Sequence, residues 1–271
     1  MKPQRHLVDW ALGALCAAGW TLLLAPVIVV LGIALGADEA LAFPPRALSL
    51  RWFGAAMDSS VLMRALGVSS LLALAASALA VLLGTLAALG AARLGGRRAT
   101  ALAGVLTAPI LLPGLVIGFA IYVFYVAIPV GLTGTFTGLL LGHTLIATPW
   151  VVTSVLAALH RVNPDHAEVA RSLGAGRIRV FWRITLHALL PGIVAGALLA
   201  FVTSFAQFDV SLFLGVSDAT PLPIAIFTSL MNRGEPVVAA AGVLAILVVV
   251  TALLLVHLFQ PVSVLFGGDR H

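Results

Sequence analysis

The chain has 271 residues, a mean hydropathy of +1.14 and only 9% charged residues, too little polar surface to cover a soluble globule of that size. Its net charge of +5 does not point to nucleic acid, because the arginines fall between long apolar runs rather than along one basic stripe. The lone Cys16 sits inside the first of those runs, which excludes an internal disulfide and a cysteine-based metal framework.

The first apolar run, residues 10–37, follows Lys2 and Arg5 and precedes Ala40-Leu41-Ala42, which imitates a signal-peptide cleavage site. The run is roughly twice the ~7–15 residues of a signal core and matches the ~20 residues of a bilayer span, so it is kept as a helix. Further charge-free stretches cover 65–92, 99–160, 184–208 and 236–268. The third has room for two spans, and Pro129, Gly131 and Gly134 in its middle mark a tight reversal. This predicts an all-α polytopic membrane protein with six transmembrane helices over roughly 11–36, 65–92, 100–126, 137–160, 185–213 and 237–259. A single transmembrane domain over 1–271 and a cytoplasmic loop over 161–183 complete it. Lipid offers backbone groups no water, so each run must be helical, since the dyad alternation of a membrane barrel is absent.

Lys and Arg set the orientation. With the N-terminus inside, Lys2, Arg5, Arg93, Arg97, Arg98, Arg161, Arg171, Arg177, Arg179, Arg183 and Arg270 are cytoplasmic, against Arg46, Arg51, Arg64 and Arg233 outside. Both termini are then cytoplasmic, and the largest outer loop surrounds residues 38–64. Gly32/Gly36, Gly114/Gly118, Gly134/Gly138/Gly142 and Gly192/Gly196 have the spacing of close helix contacts, which lipid-solvated helices need because tails supply no hydrophobic push between them. Pro109, Pro113 and Pro149 fall within spans and are expected to bend them.

Residues 165–186 carry the most information. Asn163-Pro164-Asp165 caps a short helix with Ala167, Ala170 and Leu173 at helical spacing, and Gly174/Gly176 end it. A second helix follows, with Ile178, Phe181 and Trp182 as an apolar stripe and Arg177, Arg179 and Arg183 facing headgroups or a partner. The residues alone leave two uses open: a helix shaped for a groove on another protein, or one floating on anionic headgroups.

The loop resembles the signature loop of type I binding-protein-dependent ABC importer permeases, E-A-A-x-x-x-G-x9-I-x-L-P. Glu168, Ala170, Gly174, Ile184 and Leu186 stand at matching positions, Val169 and His187 depart, and Pro191 matches a second proline seen in some members. The resemblance extends from about Leu66 to Leu258, through Gly84-Thr85-Leu86-Ala87-Ala88, the Pro109–Pro113 segment and Leu222-Pro223. It is nearest in pattern to the polyamine and aminoalkylphosphonate permeases. It implies a second permease subunit, two cytoplasmic ATP-binding subunits that use ATP and Mg, an extracytoplasmic solute-binding protein and a lipid environment, with no cofactor on this chain. Ala167, Glu168, Ala170, Arg171, Gly174, Ile184, Leu186 and Pro191 would then serve ATPase docking. The need for a partner also follows from the residues themselves: Lys2 is the only lysine and no G-x-x-x-x-G-K-[ST] exists to cradle a phosphate.

In the fifth span Ser204, Gln207 and Ser211 share one face of a helix, with Asp209 turned away from them. Together with His143 in the fourth span they are the candidate substrate path, since polar groups at membrane depth line a cavity or pair with one another. Hydroxyl back-bonding and a packing role for His143 beside Thr144 and Thr148 are the plainer alternatives. No catalytic constellation and no metal-ligand spacing is present in the sequence. A stand-alone ion-coupled transporter or channel is the competing class, and it would need inverted repeats and coupling carboxylates that the sequence does not display.

Overall fold

The computed structural model describes residues 3–162, 165–216, 219–232 and 234–259, and the side chains of residues 3–8, 11, 166, 167, 257 and 259 lie outside that description. Among the described residues the chain is helical, and its only β feature is an isolated antiparallel bridge between Gly36 and Leu48. Among the described residues five helices are long and apolar enough to cross a membrane, or six if a sharply bent pair is counted as one span. The chain divides into two compact units, residues 1–63 with 225–247 and residues 64–224 with 248–271.

In the first unit, α1 (Pro3–Ala34) is followed by a loop that folds back on its end, and α2 (Arg51–Asp58) closes the segment. Ala37 donates to the Ala47 carbonyl at 2.9 Å, Ser49 to Leu35 at 2.8 Å, and the Trp52 indole to Asp38 at 3.1 Å. The Gly32/Gly36 spacing therefore serves a purpose other than helix pairing. A Cβ on Gly32 would lie 2.6 Å from the Phe43 ring, and one on Gly36 3.2 Å from Pro45.

The second unit takes up α3 (Ser60–Leu94) from Arg64 onward, a helix about 52 Å long at 1.5 Å per residue. The single span expected over 100–126 is replaced by two pieces: α4 (Gly96–Thr107), continued by a 3-10 turn over Ala108–Leu111, and α5 (Gly114–Ala127), bent by 103° from it. Proline chemistry explains the break. Pro113 forces the preceding Leu112 out of the helical region, to φ −91° and ψ 143°, and itself stands before the first turn of α5. Pro149, by contrast, stays inside α6 (Phe136–Leu159) without ending it. The α6 N-terminus is capped by Thr135, whose hydroxyl accepts from the Gly138 amide at 3.0 Å.

After α7 (Asp165–Ser172), the second helix expected beyond Gly174/Gly176 begins at Arg177 and runs on without a break into the next: α8 (Arg177–Val180), a π-helical turn over Phe181–Thr185 and α9 (Leu186–Phe205) form one 29-residue candidate span. The span expected to reach 213 stops at Phe205, and α10 (Asp209–Leu214) starts after an interruption at 206–208. The helices α11 (Leu222–Asn232) and α12 (Val237–Phe259) complete the described chain.

Small residues let α6 run directly along α9. A Cβ on Gly192 would meet Ala158 at 2.5 Å, and one on Gly196 would lie 2.9 Å from the Val151 Cα. Gly84 of α3 closes on Val151 in the same way. Ala80, Ala88, Ala147, Val151 and Ala200 fill this seam, so dispersion at short range holds it where lipid supplies no hydrophobic drive. A second cluster, Leu72, Ile117, Tyr125, Leu139, Val210 and Leu214, joins α3, α5, α6 and α10.

Candidate functional site

The loop helix α7 carries Asp165 and Glu168 in its first turn and Arg171 in its last, the order that complements the helix dipole. Asn163 and Pro164, expected to cap it, lie outside the described residues. Its other end is a complete Schellman motif: Ala175 donates to the Ala170 carbonyl at 3.0 Å and Gly174 to Arg171 at 2.9 Å, with Gly174 at φ +85°. Of the two glycines expected to stop the helix, only Gly174 does so by left-handed geometry. Gly176 sits at φ −64° and ψ 153°, where any residue fits, and precedes α8.

What α7 presents outward is apolar as well as charged. Val169 is 58% exposed and Leu173 83%, beside an exposed Glu168, and Ile178 and Trp182 are exposed across the following turn. Gly174, Arg177, Ile178, Arg179, Trp182 and Arg183 border an open groove of about 730 Å³. Phe181 of the same apolar stripe is half-buried and meets the Trp182 ring edge-on at 5.8 Å. Ile184 and Leu186 are half-buried in the rising span, and Pro191 lies inside α9.

The candidate path residues separate into two groups. His143 of α6 is completely buried, as are Ser204 and Ser211. The imidazole Nδ1 lies 2.9 Å from the Ser204 hydroxyl and Nε2 3.0 Å from that of Ser211, which in turn donates to the Gln207 carbonyl at 2.8 Å. Thr144 and Thr148 bond to carbonyls of their own helix and leave His143 to the two serines.

Gln207 and Asp209 form the second group. Gln207 is not on a continuous helix face but within the interruption, half-buried next to an exposed Ala206. Asp209 opens α10 and lies against α5: a Cβ on Gly114 would overlap its carboxylate, and one on Gly118 would come within 2.9 Å of its carbonyl. The Gly114/Gly118 pair thus receives Asp209 and Phe213. Nothing in the helical period announces the interruption, and Tyr125, whose hydroxyl donates to the Gly138 carbonyl at 3.0 Å and ties α5 to α6, went unmarked in the sequence. Among the described residues no three His, Cys, Asp or Glu side chains gather where they would hold a metal ion.

The family described as binding-protein-dependent transport system inner membrane component matches residues 80–263. The chain is 29% identical over 232 residues to the putrescine transport system permease protein PotI of Escherichia coli K12, covering 83% of this chain and 82% of the relative. It is 33% identical over 234 residues to the molybdenum transport system permease protein ModB of Mycobacterium tuberculosis H37Rv, covering 79% and 86%. Among solved structures, a bacterial alginate ABC transporter in complex with an alginate pentasaccharide-bound periplasmic protein has the same fold, with a TM-score of 0.69 at 17% identity over 96% of this chain and 97% of that one. The match over most of the chain, the 33% identity and the shared fold together place this chain in the family of binding-protein-dependent transport system inner membrane components, the permease subunits of ABC importers.

Proposed function

We propose that this permease forms half of a solute pathway, is driven by two cytoplasmic ATP-binding subunits docked at α7, and receives its solute from an extracytoplasmic binding protein. A second permease subunit completes the pathway, both termini lie on the cytoplasmic side, and ATP and Mg act on the partner subunits alone. The observation that carries the docking role is the Schellman-capped α7. Its Glu168, Val169 and Leu173 project from a helix whose end is fixed by Gly174. Ala170 faces the helix's half-buried side, while Arg171 complements the helix dipole. Ile184, Leu186 and Pro191 anchor the loop to α9.

The solute path runs past the interruption at 206–208, where Gln207 and Asp209 are partly open, with Ser204, Ser211 and His143 behind them. Asp209 brings one carboxylate to this place. That favours a small amine or zwitterion, in keeping with the putrescine permease among the relatives. Molybdate-like oxyanions are the second reading, and the 33% identity to a molybdenum permease is the observation behind it.

Two experiments decide these points. Purification of the complex from its native membrane should bring an ATPase subunit with wild-type chain, and lose it when Glu168→Ala is combined with Gly174→Asp. Retention of the ATPase by that double variant refutes the docking role. The ligand retained by the cognate binding protein should be an amine, and a retained oxyanion would overturn the solute class.

A further inference from the structure

Ser204, His143 and Ser211 form a hydrogen-bonded chain whose direction its donors fix. The Ser211 hydroxyl lies 2.8 Å from the Gln207 carbonyl, which can only accept, so the single hydroxyl proton of Ser211 is committed there. The Ser211 oxygen then accepts from the imidazole Nε2, 3.0 Å away, and Nε2 carries the ring proton. In a neutral ring Nδ1 is left as an acceptor, and it takes the Ser204 proton at 2.9 Å. Every side-chain proton donor in this fully buried set is used once, which leaves none of them free for solute.

Geometry links the chain to the interruption. Ser204 stands in the last turn of α9 and Ser211 in the first turns of α10. One ring on α6 therefore bonds a hydroxyl on each side of the interruption. Through Ser211 the same ring also holds the peptide carbonyl of Gln207, inside the interruption.

We infer that His143 is a positioning residue. As the neutral Nε2–H tautomer it clamps α6 to both sides of the interruption between α9 and α10, and so sets the presentation of Gln207. This rests on the proposal that the interruption borders the solute path. A histidine that only fills space would hold neither the tautomer nor the Gln207 peptide in a fixed state.

The test uses the full chain, purified with its partners into lipid nanodiscs. With ¹⁵N-histidine, the His143 ring, identified by the signal lost in His143→Gln, should be protonated at Nε2 alone at pH 7. Protonation at Nδ1, or at both nitrogens, overturns the clamp. In a Cys16→Ala background, Gln207→Cys should react with a water-soluble thiol reagent, because the interruption meets the aqueous path. His143→Leu should change that rate at least about fivefold, and His143→Gln, whose amide offers one acceptor and one donor, should return it to within about twofold. An unchanged rate in an assembled His143→Leu complex overturns the positioning role. If the Gln207→Cys thiol is unreactive while His143 is intact, the path proposal is overturned instead, an outcome distinct from a wrong tautomer.

Discussion

Replacing Gly174 by alanine should cost the docking loop about 1–2 kcal/mol, all of it in the backbone. Gly174 sits at φ +85°, and a Cβ built on it would meet nothing within 4 Å, so the substitution creates strain without a clash. Gly176 supplies the control, since it is equally open but holds an ordinary φ of −64°. The strain falls on the Schellman turn that ends α7, so helix-competent loop is lost in proportion. ATPase affinity should weaken by about 5- to 30-fold, at 1.4 kcal/mol per factor of ten. Gly176→Ala, which changes only the residue ahead of α8, should stay within about threefold. Gly174→Asn should fall between, because asparagine tolerates the left-handed region. The assay is titration of purified ATPase onto the nanodisc-embedded permease. Equal losses for Gly174→Ala and Gly176→Ala, or no loss for either, would refute the reasoning.

At the α6–α9 seam, Gly192→Leu should destabilise by about 1–3 kcal/mol by overpacking against Ala158 and Ser154, read as a lower thermal midpoint. Gly90→Ala on α3, with nothing within 4 Å of the added methyl, should leave that midpoint unchanged or raise it slightly. Tyr125→Phe removes the hydroxyl bond to Gly138 and should cost about 1 kcal/mol in the same measurement. Gly114→Ala would press a methyl into the Asp209 carboxylate, so solute uptake should fall, and Asp209→Ala in the same chain should relieve the packing defect. A double-mutant cycle on thermal midpoints should show coupling of about 0.5–3 kcal/mol, and additivity would contradict the contact.

The apolar helices were legible because charge-free length is a strong constraint, and α1, α3, α6 and α12 run along most of four of the stretches expected to be helical. Their interruptions were less so. Pro113 announced a bend but not its 103°, because a proline's effect depends on which neighbours satisfy the freed carbonyls, and Pro149 leaves α6 unbroken. The interruption at 206–208 has no proline and no glycine, and the contacts on either side of it come from residues distant in sequence: His143 to Ser204 and Ser211, and Asp209 to Gly114. The candidate residues were visible as polar groups in apolar surroundings, but which of them would meet each other depended on the pairing of α6 with α9 and α10. Glycine spacing was informative about close approach, yet silent on the approaching partner. Gly192/Gly196 receive a helix, whereas Gly32/Gly36 receive Phe43 and Pro45 from the loop that follows them.

The most direct test of the account is reconstitution. The permease, its partner permease and the ATPase subunits are placed in proteoliposomes with ATP and Mg trapped inside, and binding protein loaded with its retained solute is added outside. Accumulation should require trapped ATP, survive collapse of ion gradients by ionophores, and disappear when Glu168→Ala and Gly174→Asp are combined. Uptake that proceeds without ATP and stops when the ion gradient is dissipated would contradict it.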